Sequence, residues 1–187
     1  MRILLTGGTG FIGSAVAHEL SGAGYEVLAL ARSKSSEQDL SDVGCRPITG
    51  RLETAADWLP PVTEVDAVIH TAATFGPDMA DAEEAFLTAL TDWSAQWARH
   101  RGAALPLVYT GGCWLYGAIG DGMAVEGTAF DPLPAFGYTV VIRDRLLADA
   151  SLSTRVVHPA MVWDSGAGVI GGFFEAAWEG RAPQVVG

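Results

Sequence analysis

Three glycines near the start of the chain have the spacing of a phosphate-binding turn. In ILLTGGTGFIGSAV an apolar strand ends at Thr6, and a helix is expected to begin near Phe11. Gly7 permits a tight turn, Gly10 lets the backbone approach a pyrophosphate, and Gly13 allows the helix to pack closely on the strand. Because the N–H groups at a helix start attract anions, this turn indicates a dinucleotide site. Its predicted contacts are Gly7, Thr9, Gly10, Phe11, Ile12 and Gly13.

The turn belongs to a chain in which short apolar strands alternate with helices. Runs rich in Val, Ile and Leu predict strands at 2–6, 26–31, 66–70, 105–110 and 155–159. Apolar residues at helical spacing predict helices in FIGSAVAHELSGAG, ADAEEAFLTALTDWSAQWARHRG and GYTVVIRDRLLADA. Strands that are apolar on both faces suit a covered parallel sheet. The sequence therefore predicts an α/β, Rossmann-like doubly wound parallel sheet with helices on both faces.

The composition is that of a globular chain. Hydrophobic residues make up 49% of the 187 residues and charged residues 18%, which predicts a single domain over 1–187. Lys and Arg total 11 against 22 Asp and Glu, so the basic surface that nucleic-acid binding needs is missing, and a membrane-surface role is disfavoured. The two cysteines and four histidines are scattered, so no metal site is predicted and a cytoplasmic location is the simpler expectation.

Four motifs together resemble one enzyme family. TGGTGFIG resembles the cofactor fingerprint of the extended short-chain dehydrogenases/reductases, the nucleotide-sugar epimerase/dehydratase group. The resemblance continues through DAVIHTAA, VYTGGCWLYG and VVHPAMVW, and so covers nearly the whole chain. It implies an NAD(P)-binding domain that acts on a small-molecule substrate and has Ala72, Thr110 and Pro159 beside the cofactor. Family members usually continue into a C-terminal substrate lobe, which is expected to be absent or truncated here.

The end of the second strand bears on which cofactor is bound. An acid there selects NAD, but LALARSKS has Ala31 at that position and Arg32 next to it. A guanidinium can hold a 2′-phosphate through two parallel hydrogen bonds, so the sequence favours NADP and leaves NAD open. A solvated loop charge is the alternative interpretation of Arg32. In relatives a further strand precedes the segment that corresponds to TGRLET, between the predicted strands at 26–31 and 66–70. TGRLET offers Arg51 where relatives often carry an acid, which leaves the adenine contact to Leu52 and the backbone.

The family's catalytic side chains are only partly present. The resemblance implies a Ser or Thr four residues before the tyrosine of a YG pair, and aligning on Tyr116 puts Gly112 there. It also implies a YxxxK helix, and aligning on Tyr138 puts Ile142 at the lysine position. A phenol has a reference pKa of about 10, so without a neighbouring ammonium it is a poor base but still a proton donor. Tyr138 is therefore the predicted catalytic residue. Among the reactions of the family, NADPH-driven carbonyl reduction should be the least affected by the missing groups, because it needs a proton donor and not a base.

Other side chains near these motifs are weaker candidates for a catalytic role. Tyr116 is a second candidate donor, and Cys113 is interpreted as inert packing in preference to a nucleophile. His158 is interpreted as a structural histidine with satisfied hydrogen bonds, in preference to a proton relay. Arg143 is expected to point about 100° around the helix from the lysine position.

The predicted helix over 81–101 carries an apolar stripe. Its members have helical spacing and are Phe86, Leu90, Trp93 and Trp97. Core packing is the first interpretation of such a stripe. In the family the matching helix also builds a dimer, so a homodimer is the second interpretation.

Two functions from different classes remain open. The first is an oxidoreductase of the epimerase/dehydratase type with an atypical active site. The second is a non-catalytic dinucleotide sensor or regulator that keeps the glycine turn. A protein that kept cofactor binding but lost catalysis would be expected to lack both the hydroxyl at position 112 and the lysine at position 142, as this sequence does.

Overall fold

A six-stranded parallel sheet forms the centre of the computed structural model, which describes residues 1–74, 76–164 and 168–182. The strands are Arg2–Thr6 (β1), Glu26–Ala31 (β2), Arg46–Thr49 (β3), Ala67–His70 (β4), Leu105–Thr110 (β5) and Leu152–Val157 (β6). Their order across the sheet is β3-β2-β1-β4-β5-β6. The direction of winding therefore reverses between β1 and β4, where open α/β sheets bind ligands.

Helices cover both faces of this sheet, which confirms the predicted doubly wound fold. They are Phe11–Gly22 (α1), Lys34–Asp42 (α2), Ala55–Trp58 (α3), Met79–Arg101 (α4), Tyr138–Ala148 (α5) and Gly168–Trp178 (α6). Leu4 of β1 packs in the larger core with α3, α4 and α5, whereas Leu5 packs in the smaller core with α1 and α2. Because successive strand residues point to opposite faces, β1 contributes to both cores.

The edge strand β6 differs from its prediction. It begins three residues before the predicted start and ends at Val157, so His158 and Pro159 lie beyond it. Among the described residues β6 pairs with β5 alone, from Leu105↔Leu152 to Thr110↔Val157. A strand with one free edge tolerates polar side chains. The first three residues of β6, LST, therefore form no continuous apolar run that would predict a strand.

The stripe on α4 packs inside its own chain. Phe86, Leu90 and Trp93 are buried in the larger core, and Trp97 donates its indole N–H to the Val65 carbonyl at 2.9 Å. The helix ends where Gly102 adopts a φ of +70°. Core packing therefore explains the stripe, and a homodimer would use another face of α4.

Candidate cofactor and active site

The turn between β1 and α1 has room for backbone only. Gly7 has a φ of +78°, in the left-handed region, and its carbonyl accepts a hydrogen bond from the Gly10 N–H at 2.8 Å. A Cβ on Gly13 would lie 2.0 Å from the Gly7 carbonyl oxygen, and one on Gly7 would lie 2.5 Å from the Ala72 nitrogen. Both glycines are therefore needed for the close approach of α1 to the ends of β1 and β4.

The N-terminal end of α1 fits an anion. The N-cap is Gly10, so no capping side chain accepts a hydrogen bond from the first N–H groups of the helix. The first helical turn contains no acidic residue. Thr9, Gly10 and Phe11 are exposed, and Ile12 is half-buried. Because the first N–H groups of a helix lack intrahelical partners, this end suits the pyrophosphate of a dinucleotide.

Motifs far apart in sequence meet at the same edge of the sheet. Gly7 packs against the backbone of Ala72, which follows β4. Thr110 is the last residue of β5, and Pro159 lies two residues beyond β6. Because all six strands run parallel, their carboxyl ends share one edge, so these residues lie along the edge of the sheet that contains the switch point between β1 and β4.

Arg32 follows β2 at this edge and is exposed. Ser33, the next residue, caps α2 with its hydroxyl. Among the described residues Arg32 forms no ion pair, whereas Arg51 is paired with Glu53 at 3.1 Å. Arg32 is therefore the cation that remains available at the end of β2.

Leu52 is 7% exposed and packs in the larger core, which leaves little of its side chain for an adenine.

A buried polar network that the sequence did not predict lies under this edge. The Thr6 hydroxyl and His70 Nδ1 are 2.7 Å apart, and His70 Nε2 lies 3.2 Å from Glu83 Oε2. The Tyr109 hydroxyl donates to Glu83 Oε1 at 2.9 Å. Burial raises the pKa of Glu83, but His70 and the Tyr109 hydroxyl outweigh burial and hold that pKa below its ordinary value. Side chains from β1, β4, α4 and β5 thus connect the elements around the switch point.

Replacement of Tyr109 by phenylalanine is expected to lower the free energy of unfolding by about 2 kcal/mol, because Glu83 loses a buried donor. The stacking of this ring on His70, with centroids 5.6 Å apart, is kept. The folded-state pKa of Glu83 is lowered, so its stabilisation is present above its unfolded pKa and is lost as pH falls through the folded value. Urea unfolding at neutral and acid pH measures both effects. Tyr25→Phe, at an exposed phenol, is the control, and equal stability of the two variants would contradict the prediction.

The end of β5 carries no hydroxyl where the family resemblance implies one. Gly112 has a φ of −150° and a ψ of 156°, an extended conformation open to any residue. A Cβ there would lie 3.0 Å from Cδ1 of the exposed Trp114. Cys113 is exposed, so its interpretation as core packing was wrong. The cause is a 3-10 turn over Cys113–Tyr116, which carries the chain away from the sheet.

Tyr138 begins α5 and is half-buried against the larger core. Burial, and then the Glu83 charge, raise the pKa of its hydroxyl above the ordinary value. Ile142, one helical turn on, is 3% exposed and packs in the same core. Tyr138 therefore keeps its proton at neutral pH, so its hydroxyl can donate a proton and is a poor base.

A cluster of rings and one cation lies beside the end of β5. The His158 and Tyr116 rings meet edge to face with centroids 5.7 Å apart, and Phe130 is 6.0 Å from His158. The Arg143 guanidinium lies 4.7 Å from the Phe130 centroid and also pairs with Asp144. Arg143 thus extends towards the 117–137 segment.

Two negative findings apply to the described part of the chain. No group of three His, Cys, Asp or Glu side chains there is arranged to hold a metal ion. No helix in the same ranges is both long enough and apolar enough to cross a membrane.

Known proteins match this chain in sequence and in structure. The family model described as NAD dependent epimerase/dehydratase family matches residues 3–158. The 2-alkyl-3-oxoalkanoate reductase of Stenotrophomonas maltophilia (strain K279a) is 33% identical over an alignment of 177 positions, and this alignment covers 89% of this chain and 52% of the relative. The decarboxylating sterol-4-alpha-carboxylate 3-dehydrogenase of Dictyostelium discoideum is 34% identical over 85 residues, 46% of this chain and 26% of the relative.

The structural likeness extends over the whole chain. The dTDP-glucose 4,6-dehydratase of Bacillus anthracis str. Ames, solved in complex with NAD, matches with a TM-score of 0.79 at 20% identity. That match covers 100% of this chain and 64% of the dehydratase. At this identity the likeness shows the fold alone. The chain spans about half or less of the length of the two curated relatives.

Proposed function

Because the chain belongs to the NAD dependent epimerase/dehydratase family, we propose that it is an NADPH-dependent reductase of a carbonyl compound. One observation carries this proposal: Tyr138 has a raised pKa, and the core side chain Ile142 stands where a lysine would lower it. Bound NADPH supplies the hydride. The proposed cofactor contacts are Gly7, Thr9, Gly10, Phe11, Ile12, Gly13, Arg32, Ala72, Thr110, Pro159 and, through its backbone, Leu52.

The direction of the reaction follows from the acidity of Tyr138. When a carbonyl carbon receives a hydride, its oxygen becomes negative and needs a proton, which Tyr138 donates. Oxidation, epimerisation and dehydration begin instead with removal of a proton, which a phenol of raised pKa does poorly. Reduction is therefore the reaction that these residues suit best. The relative matched over 89% of this chain is named as a reductase of an oxoalkanoate, which supports the same direction.

The proposed preference for NADP rests on Arg32. Ala31 is fully buried and carries no carboxylate to accept hydrogen bonds from the adenosine ribose hydroxyls. Arg32 is exposed beside the start of α2, and it forms no ion pair among the described residues that would compete with a 2′-phosphate. A guanidinium and a phosphate form charge-assisted, two-point hydrogen bonds.

Replacement of Arg32 by alanine is expected to weaken NADPH binding by roughly 10- to 100-fold. This factor corresponds to the free energy of one hydrogen bond to a charged group. The affinity for NADH, which lacks the 2′-phosphate, should stay the same. Titration calorimetry with both cofactors measures the change in selectivity. Lys34→Ala is the matched control, because Lys34 is paired with Glu37 at 2.8 Å. Parallel losses for NADPH and NADH would mean that Arg32 supports the fold and does not select the cofactor.

The experiment that tests the proposed function follows NADPH oxidation by the purified chain in the presence of carbonyl compounds. The panel begins with 3-oxo esters such as ethyl acetoacetate, because the named relative acts on a 3-oxoalkanoate. Turnover supports the reductase. Tight NADPH binding without turnover would instead favour the dinucleotide sensor, whose supporting observation is that Gly112 and Ile142 replace both catalytic partners of Tyr138.

Three further expectations belong to this proposal. They are a single dinucleotide-binding domain, a cytoplasmic location and a homodimer through the 81–101 helix. Both cysteines are free, Cys45 buried and Cys113 exposed, which suits a reducing compartment. The outer face of α4 carries Asp81, Glu84 and Asp92, so a homodimer through it would have to accommodate like charges.

A further inference from the structure

Two aromatic rings stack between the end of β5 and the start of α5. The Trp114 and Phe136 centroids lie 5.9 Å apart, and the ring planes are inclined by 14°. Trp114 comes two residues after Gly112, and a Cβ on Gly112 would lie 3.0 Å from Trp114 Cδ1. Phe136 comes two residues before Tyr138, and its carbonyl accepts a hydrogen bond from the Thr139 hydroxyl at 2.6 Å. The stacked pair therefore adjoins both the position of the missing hydroxyl and the proposed proton donor.

This pair belongs to an apolar surface that is open to solvent. Trp114 is 48% exposed, and its carbonyl accepts a hydrogen bond from the N–H of Leu133, which is 46% exposed. Trp114, Leu133 and Phe136 are called the aromatic face below. Exposed large apolar side chains at the ligand-binding edge of a sheet are typical of a binding site.

Exposed apolar residues also follow β6. The His158 ring packs on Gly111, where a Cβ would lie 2.6 Å from Nδ1, so the segment after β6 lies against the end of β5. Met161, Val162 and Trp163 come three to five residues later, and all three are exposed. The apolar character of the site thus extends to both neighbouring strands.

The segments around the aromatic face carry almost no positive charge. Residues 102–142 and 158–180 include no Lys or Arg. The first of these segments contains three acids, Asp121, Glu126 and Asp131. Burial lowers the pKa of His158, so its imidazole adds no charge. Arg143 comes next in the chain, but its guanidinium already pairs with Asp144. Because Arg and Lys side chains are the usual partners of phosphate groups, these segments do not suit a phosphorylated substrate.

We propose that the substrate is a carbonyl compound that carries an alkyl chain or an apolar ring and no phosphate, and that this apolar part lies on the aromatic face. The inference rests on the proposed function and names the class of its substrate. Contact removes apolar surface of both the substrate and Trp114 from water, which supplies binding free energy. A nucleoside diphosphate sugar would instead bring negative charges to an acidic segment without a cation to receive them.

A series of 3-oxo esters tests this contact through chain length. Ethyl acetoacetate, ethyl 3-oxohexanoate and ethyl 3-oxooctanoate differ by two methylenes at each step. A methylene buried on one side contributes about half of its full transfer free energy, so kcat/KM should rise about 2-fold per methylene and about 16-fold over the series. Equal kcat/KM along the series would overturn the inference and leave the proposed reductase intact.

Substitutions at Trp114 assign the effect to the aromatic face. Trp114→Ala should reduce the gain over the series to less than about 4-fold, whereas Trp114→Phe should keep most of it. A merely structural Trp114 would lower kcat/KM for all three esters by one factor and leave their ratio unchanged, and that result would overturn the contact. Tyr25→Ala is the control, because this exposed aromatic residue directly precedes β2 and so lies at the opposite edge of the sheet. Tm is measured for each variant.

Fluorine NMR makes the inference independent of turnover. The chain is labelled with 5-fluorotryptophan, and each of the six signals is assigned by its loss in a single phenylalanine variant. Ethyl 3-oxooctanoate is added to the NADP⁺ complex, in which no reduction takes place. The Trp114 signal should shift, and those of the buried Trp58 and Trp93 should not. UDP-glucose, a nucleoside diphosphate sugar, should leave the Trp114 signal unchanged.

The NMR outcomes distinguish the inference from the proposed function. A Trp114 signal that stays unchanged up to the solubility limit of the ester, or that shifts with UDP-glucose, would overturn the inference. A signal that moves only with protein concentration would also overturn it, and would assign the aromatic face to contact between copies of the chain. A shift with the ester but no NADPH turnover would overturn the proposed function alone.

Discussion

Replacement of Tyr138 by phenylalanine is expected to lower kcat for carbonyl reduction by about 1,000-fold, because the phenol is the proposed source of the proton. The ring remains half-buried against the larger core, so Tm and NADPH affinity should change little. Stopped-flow or steady-state NADPH oxidation measures the loss. A smaller change than 10-fold would remove Tyr138 from the mechanism.

A companion variant identifies the donor. Tyr116→Phe removes the other phenol near the end of β5, and it should reduce kcat much less than Tyr138→Phe does. The opposite ranking would transfer the donor role to Tyr116. The pH dependence adds a second criterion, because the raised pKa of Tyr138 keeps reduction active through neutral pH. Oxidation of the product alcohol needs the phenolate, so its rate should climb only in alkaline solution.

Replacement of Gly13 by alanine is expected to lower the free energy of unfolding by about 3 kcal/mol and to abolish NADPH binding. The added methyl would lie 2.0 Å from the Gly7 carbonyl oxygen and 2.6 Å from Thr71 Oγ1, and the first of these neighbours is backbone. Either α1 moves away from β1 or the turn changes shape, and both changes remove the cradle for the pyrophosphate. Urea unfolding and titration calorimetry measure the two effects.

The same helix offers the matched control. Gly22 is the last residue of α1, and a Cβ there would meet nothing within 4 Å. Gly22→Ala should therefore leave NADPH affinity unchanged and raise stability by up to about 1 kcal/mol. If Gly13→Ala were as stable as Gly22→Ala, steric closeness would not be the reason for glycine at position 13.

The fold was largely predictable because the central strands are covered on both faces. The apolar runs at 2–6, 26–31 and 105–110 have the bounds of β1, β2 and β5. The two edge strands were harder to predict. Neither β3, with the sequence RPIT, nor the first half of β6 has a continuous apolar run, because one edge of each is free of strand partners in the described chain.

The candidate site was only partly predictable, for a different reason. The glycine spacing is local in sequence, and it led directly to the turn at Gly7 and Gly13. The network of His70, Glu83 and Tyr109 joins residues 13 and 26 positions apart, and no local pattern marks such pairs. The contact of His158 with Gly111 likewise depends on the pairing of β5 with β6. Only the tertiary structure brings these groups together.

The central place of β1 has a consequence for the thermodynamics of cofactor binding. β1 is hydrogen-bonded to β2 on one side and to β4 on the other, and the Thr6 carbonyl at its end accepts from both the N–H and the hydroxyl of Thr71. Amide protons in such a strand exchange with deuterium only when most of the domain opens. The turn that follows is thereby preorganised, so the protein loses little conformational entropy when a dinucleotide binds. The ordering entropy of binding falls mainly on the flexible cofactor.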